Sequence, residues 1–88
     1  MNGFNADEYV PNQIIVKMRL RTEFFGEEKQ YDEESAKILA YVVDKIADNV
    51  YVIKDDNISA DPDGTLARYN NCKYVDYAEL NRIMRFGA

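Results

Sequence analysis

Residues 32–49, DEESAKILAYVVDKIADN, constrain the fold most, because their apolar side chains recur at helical spacing. Asp32 suits a helix N-cap, and the two glutamates after it suit the positive end of the helix dipole. Asn49 suits the left-handed residue that ends a helix. At about 100° per residue, one side of the helical wheel is apolar: it holds Ala36, Leu39, Ala40, Val43, Ile46, Ala47 and Val50. The stretch therefore predicts one long central helix that lies on a sheet or on another helix.

The opposite side of this predicted helix is acidic and carries an outward-facing tyrosine. It holds Glu33, Glu34, Lys37, Tyr41, Asp44 and Asp48. Such a strip is either a solvated helix face or an interaction surface, since an exposed tyrosine provides contact area at low entropic cost.

The clearest predicted strand lies in residues 13–21, where apolar and basic residues alternate strictly. Alternation places Ile14, Val16, Met18 and Leu20 on one face and Lys17, Arg19 and Arg21 on the other. This pattern indicates a half-buried strand with a basic outer face. Residues 1–12 are polar and contain Gly3 and Pro11, so we expect a loose N-terminal arm before a single domain at residues 13–88.

Further elements follow from turn residues and β-branched runs. A tight turn at Gly26 leads to a short strand at residues 29–31, and the adjacent Phe24 and Phe25 require that at least one of them be covered. The run Val50–Lys54 predicts a strand. Residues 61–64, DPDG, predict a turn, and Asn70-Asn71 predicts a hairpin between two more strands.

The last predicted element is a helix at residues 77–86. Asp76 is its N-cap, and Glu79 completes a capping box. Together these elements predict an α+β fold: a small antiparallel sheet of three to five strands, packed by one long central helix and a short C-terminal helix.

Composition excludes several classes of function. The chain has no histidine and one cysteine, Cys72, which removes histidine-based catalysis, the usual zinc and copper sites and any internal disulfide. We therefore expect no enzymatic activity, no catalytic residue, no metal site and no cofactor. No basic and apolar leader opens the sequence, and no apolar run approaches the ~20 residues of a membrane span. We expect a cytoplasmic protein that does not contact membranes.

Charge is unevenly distributed along the chain, whose formal net charge is −5. Residues 23–34 hold six acids and one lysine, and residues 55–63 add four aspartates. Acidic surface patches accelerate association with basic partners and reject acidic ones. The predicted partner-binding residues are Glu27, Glu28, Glu33, Glu34, Tyr41, Asp44, Asp48, Asp55 and Asp56.

In its small size, its acidic runs EFFGEEKQYDEE and DDNISADPD and its acidic helix face, the chain resembles phage-type inhibitors of host DNA-binding or transcription proteins. Some of those inhibitors imitate the charge of DNA. The resemblance implies an inhibitor, working in the host cytoplasm, that occupies the basic, nucleic-acid-binding surface of a partner protein.

Two alternatives stay open. The basic strand face of Lys17, Arg19 and Arg21 could bind nucleic acid, with Phe24 or Phe25 stacking on bases, although the net negative charge opposes it. The chain could also be a structural subunit that forms a homodimer through an exposed strand edge or through the phenylalanine pair.

Overall fold

The computed structural model describes residues 9–82, which form one antiparallel sheet with helices packed on one of its faces. Short 3-10 helices at Arg21–Phe24 and Leu39–Tyr41 flank the first α-helix. The main elements, in chain order, are β1 (Tyr9–Met18), α1 (Glu28–Ile38), β2 (Val42–Ala47), β3 (Val50–Lys54), α2 (Asn57–Ala60), α3 (Pro62–Asn70) and β4 (Val75–Arg82). The predicted α+β class and antiparallel sheet are confirmed.

The sheet has four strands in the order β2-β3-β1-β4, and every neighbouring pair is antiparallel. β1 therefore lies in the middle, between β3 and β4. Ile14 lies opposite Ile53 on one side and opposite Leu80 on the other. The sheet has two edges, and β2 forms one of them.

The core lies between the sheet and the helices. Ile14, Val16 and Met18 alternate along β1 and are all buried, as the alternating sequence predicted. Ile58 of α2 and Tyr31 of α1 pack onto the same cluster. Leu20 lies beyond the strand and is 52% exposed, so its predicted burial is wrong.

The predicted central helix is only partly right. The α-helix runs from Glu28 to Ile38, and the 3-10 helix Leu39–Tyr41 extends it. Residues 42–47, predicted as the second half of the helix, form strand β2. A β-branched pair opens this strand, and Asn49, with φ 62°, makes the turn into β3. Hydrogen bonds from β2 to β3 thus take the place of the hydrogen bonds within a helix that the apolar spacing predicted.

The predicted C-terminal helix is wrong wherever the structure describes it. Tyr77 to Arg82 belong to β4, which pairs with β1, and the remaining residues of that prediction lie outside the described part. From Tyr77 to Leu80 the burial alternates as in a strand, with Tyr77 and Glu79 exposed, Ala78 buried and Leu80 half-buried, while Val75 is buried three residues before Ala78. A register shift near Val75 accommodates the odd spacing of the two buried residues.

The hairpin predicted at Asn70-Asn71 is also wrong, because Pro62–Asn70 is a helix. Asp61 is its N-cap, and its carboxylate accepts a hydrogen bond of 3.0 Å from the backbone N–H of Gly64. Proline in the first turn of a helix loses no hydrogen bond. The residues predicted as a turn therefore begin α3.

The region between β1 and α1 holds an aromatic cluster. Phe24 packs against Tyr31 and Tyr74, with ring centroids 5.3 and 4.9 Å apart. Phe24 is half-buried in this cluster, whereas Phe25 is 90% exposed. The expectation that at least one of the two phenylalanines is covered is therefore confirmed by Phe24. Gly26 has φ 87° and makes the predicted tight turn, but the short strand predicted at residues 29–31 lies in α1.

The predicted N-terminal arm overlaps the sheet. Residues 9–12 belong to β1, and the remainder of the predicted arm lies outside the described residues. The strand predicted at Val50–Lys54 is β3 and is confirmed. Across residues 9–82, every helix is too short or too polar to cross a membrane.

Candidate functional site

The nine predicted partner-binding residues do not form one surface, because the central helix ends before its predicted second half. One acid precedes α1 and three lie within it, one tyrosine ends the 3-10 helix that follows, two aspartates lie in β2 and in the turn after it, and two acids follow β3. In that order they are Glu27, Glu28, Glu33 and Glu34; Tyr41, Asp44 and Asp48; and Asp55 and Asp56. The continuous acidic helix face that the sequence predicted is therefore wrong.

Ion pairs neutralise four of these acids. Glu27 lies 3.1 Å from the ammonium group of Lys73, and this hydrogen bond and charge raise the pKa of Lys73 above its ordinary value. The other pairs are looser or lie within one element: Glu33 with Lys29 at 4.0 Å, Glu34 with Lys37 at 3.2 Å and Asp56 with Lys54 at 3.9 Å. The acidic runs therefore present much less net charge to a partner than their sequence indicates.

The four remaining acids differ in their surroundings. Glu28 accepts a hydrogen bond of 3.0 Å from the backbone N–H of Gly26. Asp55 accepts hydrogen bonds from the Tyr69 hydroxyl and from a backbone N–H. Within residues 9–82, neither Asp44 nor Asp48 has a basic group within ion-pair distance.

The basic strand face predicted as a nucleic-acid site is not assembled. Lys17 lies in β1, but Arg19 follows the strand and Arg21 begins a 3-10 helix. Each of the three pairs with an acid: Lys17 with Asp76 at 3.7 Å, Arg19 with Glu23 at 3.8 Å and Arg21 with Asp32 at 2.9 Å. These cations stabilise contacts within the chain instead of forming one exposed basic surface.

Arg21 and Asp32 form the best-defined of these pairs. The guanidinium donates from Nε at 2.9 Å and from Nη2 at 3.1 Å to the two carboxylate oxygens. This hydrogen bonding holds the pKa of Asp32 below its ordinary value. Asp32 was predicted to cap a helix, but it lies inside α1 and connects that helix to the segment after β1.

The longest exposed run with large apolar side chains in the described part of the chain is the β2 edge, which we define as residues 41–48. Tyr41 is 72% exposed, Val43 54% and Ile46 53%, and every residue of β2 is exposed. Among residues 9–82, only β3 pairs with β2, so its outer edge has no strand neighbour there. Exposed edges of this kind accept strands from other molecules.

Sequence reasoning missed this edge because it placed Val43 and Ile46 on the buried face of a helix. A usable signal was present. Asp48-Asn49 separates two β-branched runs, and asparagine tolerates the positive φ that a two-residue hairpin needs.

Other kinds of site find less support. No group of three or more histidine, cysteine, aspartate or glutamate side chains within residues 9–82 is placed to hold a metal ion. The thiol of Cys72 is free and half-buried. Comparison with protein-family models, with curated proteins and with solved structures finds no match to this chain.

Proposed function

We propose that this chain is a non-catalytic protein-binding module that takes an extended, basic segment of another protein along the outer side of the β2 edge. One observation carries the proposal: an edge strand exposes all six of its residues, with apolar side chains beside two aspartates that form no ion pair within residues 9–82. The surface includes Tyr41, Asp44 and Asp48, three of the residues predicted from the sequence to bind a partner.

Backbone chemistry supports this mode of binding. An edge strand offers N–H and C=O groups that an incoming strand satisfies, and side chains on alternate positions give specificity. β2 also has features that limit indiscriminate pairing. Asp44 and Lys45 are charged and exposed, and the register with β3 shifts twice, between Val42 and Asp44 and between Lys45 and Ala47. Charges and bulges on an edge strand oppose aggregation, so a matched partner is favoured over general association.

Charge supports a basic partner. Asp44 and Asp48 lie on the strand and its turn without ion pairs in the described structure, and the chain as a whole carries −5. Complementary charge raises the association rate and rejects acidic competitors. Where the bound segment belongs to a nucleic-acid-binding surface, its occupation inhibits the partner, which is the role implied by the resemblance to phage-type inhibitors.

A second copy of this chain is a poorer occupant than a basic segment. In an antiparallel pair with two-fold symmetry, the residue at the centre lies opposite its own copy. Centring the pair in the middle of β2 places Asp44 against Asp44, or Lys45 against Lys45. Like charges directly opposite each other destabilise a strand pair.

A peptide titration tests the proposal. The ¹⁵N-labelled chain is mixed with a short peptide that alternates valine and lysine, and separately with one that alternates valine and glutamate. We expect saturable amide shifts along Val42–Ala47 with the basic peptide, weakened by added salt. We expect Asp44→Lys to weaken binding by about tenfold.

Glu79→Lys is the matched control, because it reverses an exposed acid on β4, at the opposite edge of the sheet. It should leave the affinity within about twofold. Absence of saturable shifts along β2, or equal effects of the two charge reversals, would overturn the proposal. Sedimentation of the free chain as a dimer with protected β2 amides would show that a second copy occupies the edge, which also overturns it.

A further inference from the structure

A cleft of about 460 Å³ opens where the end of α1, the end of β3 and α3 meet. Its lining includes Tyr41, Lys54 and Tyr69. A smaller hollow of about 250 Å³ shares Asp55 and Tyr69 with it and adds Arg68. We call the two together the Tyr69 cleft. It shares Tyr41 with the β2 edge, but its other lining residues lie in α1, at the end of β3, in the segment after β3 and in and after α3.

The two carboxylates of the Tyr69 cleft are already engaged. Asp55 accepts a hydrogen bond of 2.8 Å from the Tyr69 hydroxyl on Oδ2 and one of 2.9 Å from the backbone N–H of Asn57 on Oδ1. Asp56 lies 3.9 Å from the ammonium group of Lys54. A cationic ligand would therefore find few free acceptors here.

The cationic groups of the cleft come from three separate elements. Lys37 ends α1, Lys54 ends β3 and Arg68 lies in α3. Within the described residues, Arg68 has no carboxylate partner, and its only side-chain hydrogen bond is a long one of 3.5 Å from Nη2 to the Thr65 hydroxyl. Lys37 pairs with Glu34 at 3.2 Å and Lys54 lies 3.9 Å from Asp56, so Arg68 is the one cation of the cleft without a carboxylate partner among the described residues. Arg68 is therefore the group that is available to an anionic ligand.

The walls of the cleft add an aromatic preference. Tyr41 is largely exposed at the mouth, whereas Tyr69 is half-buried and its ring is held by the hydrogen bond to Asp55. Ile38 lies between them in the lining of both hollows. Tyrosine faces and edges favour planar rings. The larger hollow, of about 460 Å³, lies in the range of small-molecule sites, about 300–1,000 Å³.

We propose that the Tyr69 cleft binds a small planar anion, an aromatic ring that carries a phosphate or a carboxylate. The ring packs against Tyr69, Tyr41 and Ile38. The acid group lies toward Arg68, whose guanidinium can donate charge-assisted hydrogen bonds to it.

Four probes separate the two parts of this chemistry. Phenyl phosphate and benzoate carry both ring and acid, inorganic phosphate carries only the acid, and benzyl alcohol carries only the ring. Each is titrated into the ¹⁵N-labelled chain. We expect at least one of the two ring-bearing anions to produce saturable shifts at Ile38, Lys54 and Tyr69. Whichever of phenyl phosphate and benzoate binds more tightly identifies a phosphate ester or a carboxylate as the ligand class.

Variants assign the binding to the cleft. Arg68→Gln removes a charged hydrogen-bond donor and should lower the affinity for the ring-bearing anion by about tenfold. Tyr69→Phe keeps the ring but removes the hydrogen bond to Asp55. The carboxylate charge is then less compensated and repels the anion, so the affinity should also fall. Lys29→Gln is the matched control, because it removes an exposed cation that lies outside the cleft, about two helical turns before Lys37 on α1. Its affinity should stay within about twofold of the unmodified chain.

Three outcomes would overturn the inference. Neither ring-bearing anion saturates, or inorganic phosphate or benzyl alcohol binds as tightly as they do, or Arg68→Gln binds like Lys29→Gln. An unchanged amide spectrum of each variant before titration shows that its fold is intact. Failure here leaves the β2 proposal untouched, since the peptide titration monitors Val42–Ala47.

Discussion

The hydroxyl of Tyr69 donates a hydrogen bond of 2.8 Å to Oδ2 of Asp55, which joins α3 to the segment that follows β3. Burial is the main cause, and the adjacent carboxylate the second, of a rise in the pKa of Tyr69 to about 12. Because the carboxylate accepts a hydrogen bond from the hydroxyl, ionisation of Tyr69 would remove that bond and bring two negative charges together in the cleft. The pair therefore favours a protonated tyrosine in the folded chain.

This pair predicts a loss of stability in alkali. The pKa of Tyr69 is about 12 in the folded chain and near the ordinary tyrosine value of 10.0 in the unfolded chain, so between these values the folded chain binds more protons. Its contribution is fully present below about pH 10 and is lost as the pH rises toward about 12. Urea denaturation at neutral pH and at about pH 11 measures the loss. Tyr69→Phe should lose less stability over the same interval; an equal loss in both proteins would contradict the assignment.

Two isoleucines distinguish the strand β2 from the predicted helix. Ile58 is fully buried, and Ile58→Ala should lower the free energy of unfolding by about 2–5 kcal/mol, since it removes core packing. Ile46 is 53% exposed, and Ile46→Ala should change it by less than about 1 kcal/mol. Chemical denaturation measures both. A large loss at Ile46 would restore the buried helical face that the sequence predicted.

The side chain of Asn70 connects α3 to β4. Its amide oxygen accepts from the backbone N–H of Ala78 at 2.9 Å, and its nitrogen donates to the carbonyl oxygens of Ala78 at 3.0 Å and Leu66 at 3.1 Å. Asn70→Ala removes all three bonds and should cost about 1–3 kcal/mol of unfolding free energy. Asn71→Ala, at the next position, is the control and should cost much less. Hydrogen exchange at the Ala78 amide should accelerate only in the first variant.

Gly26 occupies a backbone conformation that side chains disfavour. Its φ is 87°, and an added Cβ would meet open space, so the cost of substitution is conformational. Gly26→Ala should lower the free energy of unfolding by about 1–2 kcal/mol. Gly26→Asn should cost less, because asparagine adopts positive φ more readily. Equal costs for the two would indicate that the turn rearranges.

The elements predicted correctly are those whose signals are local. Strict alternation in β1 and the β-branched run of β3 determine the face and extent of each strand within a few residues. β2 and β4 were misassigned because their apolar residues also fit helical spacing. Their state is decided by hydrogen bonding to β3 and β1, which are distant in sequence or lie across a turn. For α1, the helical spacing correctly predicted a helix over residues 32–38 but not its end at Ile38.

The candidate surface could be predicted only as a set of residue types. Which acids remain available depends on long-range pairing, as with Glu27 and Lys73 or Arg21 and Asp32. Asp44 and Asp48 were identified from the sequence as partner-binding residues. Their place on an exposed edge beside Val43 and Ile46 required the strand assignment, which the helical spacing of that stretch concealed.

The position of β1 between β3 and β4 has a consequence during biosynthesis. β1 emerges from the ribosome before every other described element, yet its ladder to β4 joins Met18 to Val75. The edge of β1 that pairs with β4 stays without a strand partner until β4 has been synthesised. Contacts between residues so distant in sequence slow folding. A nascent strand left open in this way is a natural client for chaperones that hold unfolded segments.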